Sequence, residues 1–264
     1  MNKLVWCVAT LVLGLLGAAA GAGGGASAAA GGQVTVVQAV PGTEVEVQVD
    51  GRTVEEQAGV GTVVGPLTLT PGAHRLSFVG GPGGRTLTTK LDVAAGSGND
   101  VVLHRPASVD GSPVVNTYTT PDSPIGPGKA RLLLAHTATV APADVAFDGK
   151  VVFSNIANGE YAEADVPAGT HRVELLPAGT SGDPILGPLS VDLAPRTATM
   201  VYAVGSPRDR SMDVVTHTLA LSSDGSVVPR SIDTGSAGLA APGHREPLAA
   251  LSPTPWQPWP AGRP

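Results

Sequence analysis

The chain repeats itself. Four short segments recur in one order, at a spacing of 97 to 100 residues, along a sequence of 264. Val49-Asp50-Gly51 returns as Phe147-Asp148-Gly149, and Pro71-Gly72-Ala73-His74-Arg75-Leu76 returns as Ala168-Gly169-Thr170-His171-Arg172-Val173. Leu91-Asp92-Val93 matches Val191-Asp192-Leu193, and Val114-Val115-Asn116-Thr117 matches Val214-Val215-Thr216-His217. Self-similarity at a fixed period marks repeated structural units. It predicts two copies of one domain, 34–120 and 129–221. A linker at 121–128 joins them, Pro121-Asp122-Ser123-Pro124-Ile125-Gly126-Pro127-Gly128, whose prolines can continue neither strand nor helix.

Each copy reads as β. In the second, Arg131–His136 is rich in Leu, and Asp144–Phe147 runs into Asp148-Gly149, which supplies the two positive-φ positions of a tight hairpin turn. His171-Arg172-Val173-Glu174-Leu175 alternates polar and apolar residues, as a strand with one dry face requires. Leu189–Leu193, Thr197–Val204 and Met212–Leu219 complete seven or eight short strands, and no segment has a 3.6-residue period. The predicted fold is all-β, two tandem immunoglobulin-like antiparallel β-sandwich domains. Gly80-Gly81-Pro82-Gly83-Gly84 reads as a hairpin loop, because no Lys-Ser/Thr and helix follow it, and Glu55-Glu56 reads as a solvated turn.

Composition fits this division. The 35 Gly and 24 Pro would suit a low-complexity chain, but hydrophobic residues make up 42% and charged ones only 14%. Much of the Gly and Pro sits at the two ends. Residues 1–30 read as a secretory signal, with Lys3 before the apolar run Leu4–Leu16 and Ala26-Ser27-Ala28 as a small-residue cleavage pattern. The alternative is a retained N-terminal anchor; no later segment resembles a membrane span. Cys7, the one cysteine, lies inside the signal, so the mature chain would have no disulfide and no thiolate ligand. Loss of Lys3 leaves 15 basic against 22 acidic residues, which argues against nucleic acid as a partner. Residues 222–264 read as a low-complexity, Pro-rich, disordered tail. In a polyproline II conformation Trp256 and Trp259 would share one face and could dock.

Candidate chemistry is sparse. Asp233-Thr234-Gly235 matches half of an aspartic-protease site, which needs two such loops, so a hydrolase is a remote alternative. The six histidines form no zinc-ligand spacing, and no metal, cofactor or catalytic residue is expected. The repeated pairs His74-Arg75 and His171-Arg172 read as wet-face residues at a hairpin edge, or else as anion contacts through the arginine fork.

Several segments of the second copy carry a family resemblance. Gly128-Lys129-Ala130-Arg131, Ala143-Asp144-Val145-Ala146-Phe147-Asp148-Gly149, Val166-Pro167-Ala168-Gly169-Thr170 and Val201-Tyr202-Ala203-Val204-Gly205 resemble a bacterial secreted family, domain of unknown function 4397. The resemblance is dense over 129–205 and thinner over 34–118. It implies exported, often tandem, sandwich-like proteins without an established activity, many of them actinobacterial. The family's His-Ala-Ser-Pro-Asp signature survives as His136-Thr137-Ala138, and Gln38 stands at that position in the first copy. The expectation is an exported, non-catalytic protein of the envelope or extracellular space, structural or adhesive and bound to a protein or cell-wall partner. The alternative is a module for wall glycan or a small anion, centred on His136 or the His-Arg pairs. Sequence leaves the oligomeric state open.

Overall fold

A computed structural model describes residues 30–180 and 182–223. Apart from residue 30 and residues 222–223, the expected signal and tail lie outside them, as do Asp233, Trp256 and Trp259. The first copy contains β1 (Gly32–Gln38), β2 (Val45–Val49), β3 (Arg52–Ala58), β4 (Val63–Leu69), β5 (Gly72–Gly81), β6 (Arg85–Val93), β7 (Gly98–His104) and β8 (Val114–Thr119). The second contains β9 (Lys129–His136), β10 (Ala143–Phe147), β11 (Lys150–Ile156), β12 (Tyr161–Pro167), β13 (Gly169–Pro177), β14 (Leu186–Leu193), β15 (Thr197–Val204) and β16 (Asp213–Ala220). One 3-10 turn, Pro82–Gly84, closes the β5–β6 hairpin at the Gly-rich loop.

The strands form four sheets, ordered β3-β2-β5-β6 and β4-β1-β7-β8 in the first copy, β11-β10-β13-β14 and β12-β9-β15-β16 in the second. The two copies thus share one topology. Each departs from a purely antiparallel sandwich in one place, since β1 runs parallel to β7 and β9 parallel to β15. Glu55 and Glu56 lie within edge strand β3 rather than in a turn. Strand pairing also shifts the last repeat match by one residue. Asp100 faces Tyr118 while Met200 faces His217, so Tyr118 corresponds to His217 and Thr117 to Thr216.

Outer strands alternate as half-buried strands should. In β2, Val45, Val47 and Val49 are buried between the half-exposed Glu46 and Gln48. The central strands do not alternate: β9 is buried from Ala130 to His136, and β15 from Ala198 to Val204. A continuous apolar run means burial on both faces. Val34, Val36, Val101 and Leu103 point into the first sandwich, and Leu132, Leu134, Val201 and Ala203 into the second. The residues between them, Val37, Val102, Leu133, Ala135, Met200 and Tyr202, form a third core shared by both copies.

The two sandwiches therefore stack face to face as four layers. The linker packs into the joint: Ile125 is 1% exposed, and its N–H donates to Ser222 O at 3.0 Å. Asp100, fully buried, lies at this joint. It accepts from Tyr202 Oη at 2.5 Å, His217 Nε2 at 2.8 Å and Thr120 Oγ1 at 3.2 Å. Tyr118 Oη donates to Gly159 O at 3.2 Å, and Asn158 Nδ2 to Arg105 O at 3.1 Å, both across the joint. A buried carboxylate is tolerable only when its lone pairs are met, and here the donors come from both copies.

Candidate ligand cleft in the first sandwich

The repeated Asp-Gly and His-Arg motifs meet in space and form one brace. Asp50 and Asp148 occupy left-handed positions, φ 51° and 50°, in the turns after β2 and β10. Asp50 Oδ1 accepts from Arg75 N at 2.8 Å, and Oδ2 from His74 Nδ1 at 2.7 Å. In the second copy Asp148 accepts from Arg172 N at 2.9 Å and His171 Nδ1 at 2.8 Å. The far ring nitrogens donate to Thr70 O and Pro167 O. Both nitrogens of each ring thus face acceptors, which favours the doubly protonated imidazolium. The hydrogen bond to Asp50 or Asp148 accordingly raises each histidine above its ordinary value. The backbone N–H of Arg75 or Arg172 and the histidine lower the aspartate.

These histidines are not on a wet edge. β5 and β13 are interior strands, and the side chains of His74 and His171 are 10% and 11% exposed. His171 also stacks on Phe147 with ring centroids 4.4 Å apart. Arg75 and Arg172 remain exposed, and Arg172 pairs with Glu174 at 2.7 Å.

His136 is fully buried at the end of β9. Its Nε2 donates to Ala141 O at 3.3 Å and its Nδ1 has no partner; burial holds the ring below its ordinary value and hence neutral. Gln38 spans the equivalent loop, donating from Nε2 to Thr43 O at 2.6 Å and accepting the Val40 N–H at Oε1. Imidazole and amide brace the same turn, and the amide satisfies one more group.

The two copies differ at the loop end of the sandwich. In the first, a cleft of about 500 Å³ opens over Val45, Phe78, Leu87 and Leu103, with Arg85, Arg105 and Asp110 also lining it. Small-molecule sites have about this volume, ~300–1,000 Å³. Two differences between the copies lie at this end. Asp144 of β10 accepts from Asn155 N at 2.7 Å and Gly179 N at 2.9 Å, drawing the β13–β14 turn down. Its counterpart Glu46 bonds Gln48 and Thr53 instead, leaving the Pro82–Gly84 turn untied by that carboxylate.

The second difference is Gly205, φ 88°, where a Cβ would come within 2.0 Å of Ser211 O. Glycine lets the β15–β16 loop fold onto its own strand. Arg105 fills the matching position in the first copy, so the same closure is sterically barred, and Val109–Pro113 of the following loop line the cleft instead. Arg105 is itself positioned. Its carbonyl accepts from His104 Nδ1 at 2.8 Å and from Asn158 Nδ2 of the second sandwich, and its Nη2 donates to Pro41 O at 3.4 Å. Sequence reasoning missed this site because the lining residues are scattered over five segments and form no motif. The one legible signal was Arg105 opposite Gly205 in the repeat alignment.

Residues 32–143 match the family model described as Domain of unknown function (DUF4397). The match covers the whole first sandwich and β9 and ends on the first residue of β10. It includes the entire cleft, although the motif residues of the resemblance are denser at 129–205. No curated protein matches the chain. Among the described residues no helix is long and apolar enough to cross a membrane.

Proposed function

We propose that the protein is an exported, non-catalytic binding module whose recognition site is the cleft of the first sandwich. The observation that carries this reading is the asymmetry between two copies of one fold. Where the second copy ties its β13–β14 turn through Asp144 and folds its β15–β16 loop back at Gly205, the first keeps a cleft there with an apolar floor and charged groups along its lining. Export is supported by Lys3, the Leu4–Leu16 run and Ala26-Ser27-Ala28. The non-catalytic reading is supported by five histidines, His74, His104, His136, His171 and His217, each bonded within the fold.

A fragment screen by ligand-observed NMR tests the site. Fragments whose signals are lost with Ser112→Trp at the rim or Leu87→Trp in the floor support the cleft. A screen in which neither variant, folded with unchanged Tm, alters any hit refutes it. Export is tested by fusing residues 1–30 to a reporter; retention of the reporter in the cytoplasm overturns that part.

A structural or adhesive role has its own observation. Val151, Val152 and Tyr161 are 50%, 48% and 48% exposed at the β11–β12 corner, whereas Thr53 and Val54 stand at the positions of the two valines in β3, with Glu55 and Glu56 following. The occupant this corner suits is a second copy of the chain. Antiparallel apposition of two β11 strands would bring their valines together and keep the two Lys150 charges at opposite ends. Sedimentation of wild type against Val152→Lys decides it: a dimer lost in the variant supports self-association, and a monomer at all concentrations excludes it.

A further inference from the structure

We propose that the cleft takes an organic anion with an apolar body, its acidic head held between Arg85 and Arg105. This rests on the cleft being a binding site and assigns the chemistry of its occupant.

The lining sorts into two parts. Phe78 and Leu103, 1% and 2% exposed, belong to the core of the first sandwich, and with Val45 and Leu87 they give an apolar floor that continues between the sheets. Such a floor offers no hydrogen bonds, so whatever enters must be apolar there. The polar lining is cationic in balance, with Arg85 and Arg105 against Asp110, although Asp209 of the second copy also feels the charge of Arg105. This is local, because the chain as a whole carries a net charge of −6. An excess of positive charge at a concave site on an acidic protein draws anions to that site.

Arginine also sets the geometry. Its planar fork pairs with carboxylate or phosphate through two parallel bonds, which a lysine cannot do. Of the two, Arg105 is the pre-positioned one. Its main chain is held by His104 and by Asn158, a residue of the other sandwich, so the second copy orients the head-group contact without lining the cleft. Arg85 lies just past the Pro82–Gly84 turn, at the start of β6, and is exposed. The glycines of that turn, Gly83 and Gly84 with φ 73° and 71°, put no side chain over the opening. A head group can therefore reach Arg85 from solvent while its body lies on Phe78 and Leu87.

Titration calorimetry on the full chain tests the assignment with octanoate, octylammonium, 1-octanol and acetate as probes. Octanoate binds at one site per chain. Arg85→Gln and Arg105→Gln each weaken it about tenfold, the loss of one charge-assisted contact. Acetate, lacking the apolar body, and octylammonium, with the wrong charge, give no saturable binding. If 1-octanol binds as tightly as octanoate, or the double variant keeps full octanoate affinity, the anionic assignment is overturned while the cleft stands. Octanoate binding unaffected by Ser112→Trp and Leu87→Trp overturns both the assignment and the cleft reading. The arginine variants alter exposed or half-exposed side chains, and an unchanged Tm verifies that they fold.

Discussion

Asp100→Ala should uncouple the two sandwiches. The carboxylate is fully buried and accepts from Tyr202, His217 and Thr120. Burial and the Asp100 charge both push the Tyr202 phenol far above its ordinary range, so it stays a neutral donor. Truncation to alanine leaves three donors facing a void. A hydrogen bond to a charged group contributes ~1.5–3 kcal/mol, and removing one partner of a buried charged cluster costs ~3–5 kcal/mol. The expected loss is about 3–5 kcal/mol, a large part of the ~5–15 kcal/mol that holds a typical domain folded. All three tyrosines, Tyr118, Tyr161 and Tyr202, lie at or beside the joint, with Tyr118 5.6 Å and 5.8 Å from the other two rings. The tyrosine contribution to near-ultraviolet circular dichroism therefore reports the joint, and far-ultraviolet dichroism reports the sheets. In urea the wild type should show one coincident transition. Asp100→Ala should lose the tyrosine signal first, followed by the sheets. Coincident transitions shifted by less than ~1 kcal/mol would refute the role of Asp100 as a shared fastener.

Other outcomes follow from the same contacts. His136→Gln should keep the Ala141 bridge and cost little, as Gln38 shows in the first copy, whereas His136→Ala should lose ~1–3 kcal/mol by urea titration. Because burial lowers His136 in the folded protein, the unfolded chain takes up its proton first. Its contribution therefore falls as pH drops below about 6.5, and His136→Gln should flatten that acid-side slope. His74 and His171 have the opposite sign: raised in the fold, they stabilise fully below about 6.5 and lose that contribution as pH rises through their folded values. Their aspartates, lowered in the fold, contribute above about 3.8 and lose it as pH falls through the depressed values, so the brace is complete between the two limits. NMR titration of the imidazoles and melting of His74→Ala and His171→Ala variants check this. Gly205→Ala should lose at least ~1–3 kcal/mol, from positive-φ strain plus collision with Ser211 O, a cost visible as a lowered Tm.

The sequence alone determined the duplication, the strand-rich character of each copy and the paired Asp-Gly turns. These are local properties: turn chemistry at Asp50-Gly51 and Asp148-Gly149, and alternation along strands such as His171–Leu175, act within a few residues. It also pointed to His74 and His171, though as surface residues, because nothing local tells that Asp50 and Asp148 reach them from two strands away. Asn116 and Tyr118, which both donate to Gly159 O, belong to a joint that no repeat alignment can reveal, since the two copies differ there. The unbroken apolar runs Leu132–Ala135 and Val101–Leu103 were the legible hint that their sheets have no wet face. What covers them is decided by long-range packing, because either copy read alone offers only an apolar face in need of a partner. The cleft is likewise tertiary. Arg105 in place of Gly205 shows in the repeat without saying what it does, and Glu46 in place of Asp144 is a conservative change. They matter because the backbone at Gly205 passes too close to Ser211 for any side chain and because Asp144 is short enough to stay buried and reach Gly179.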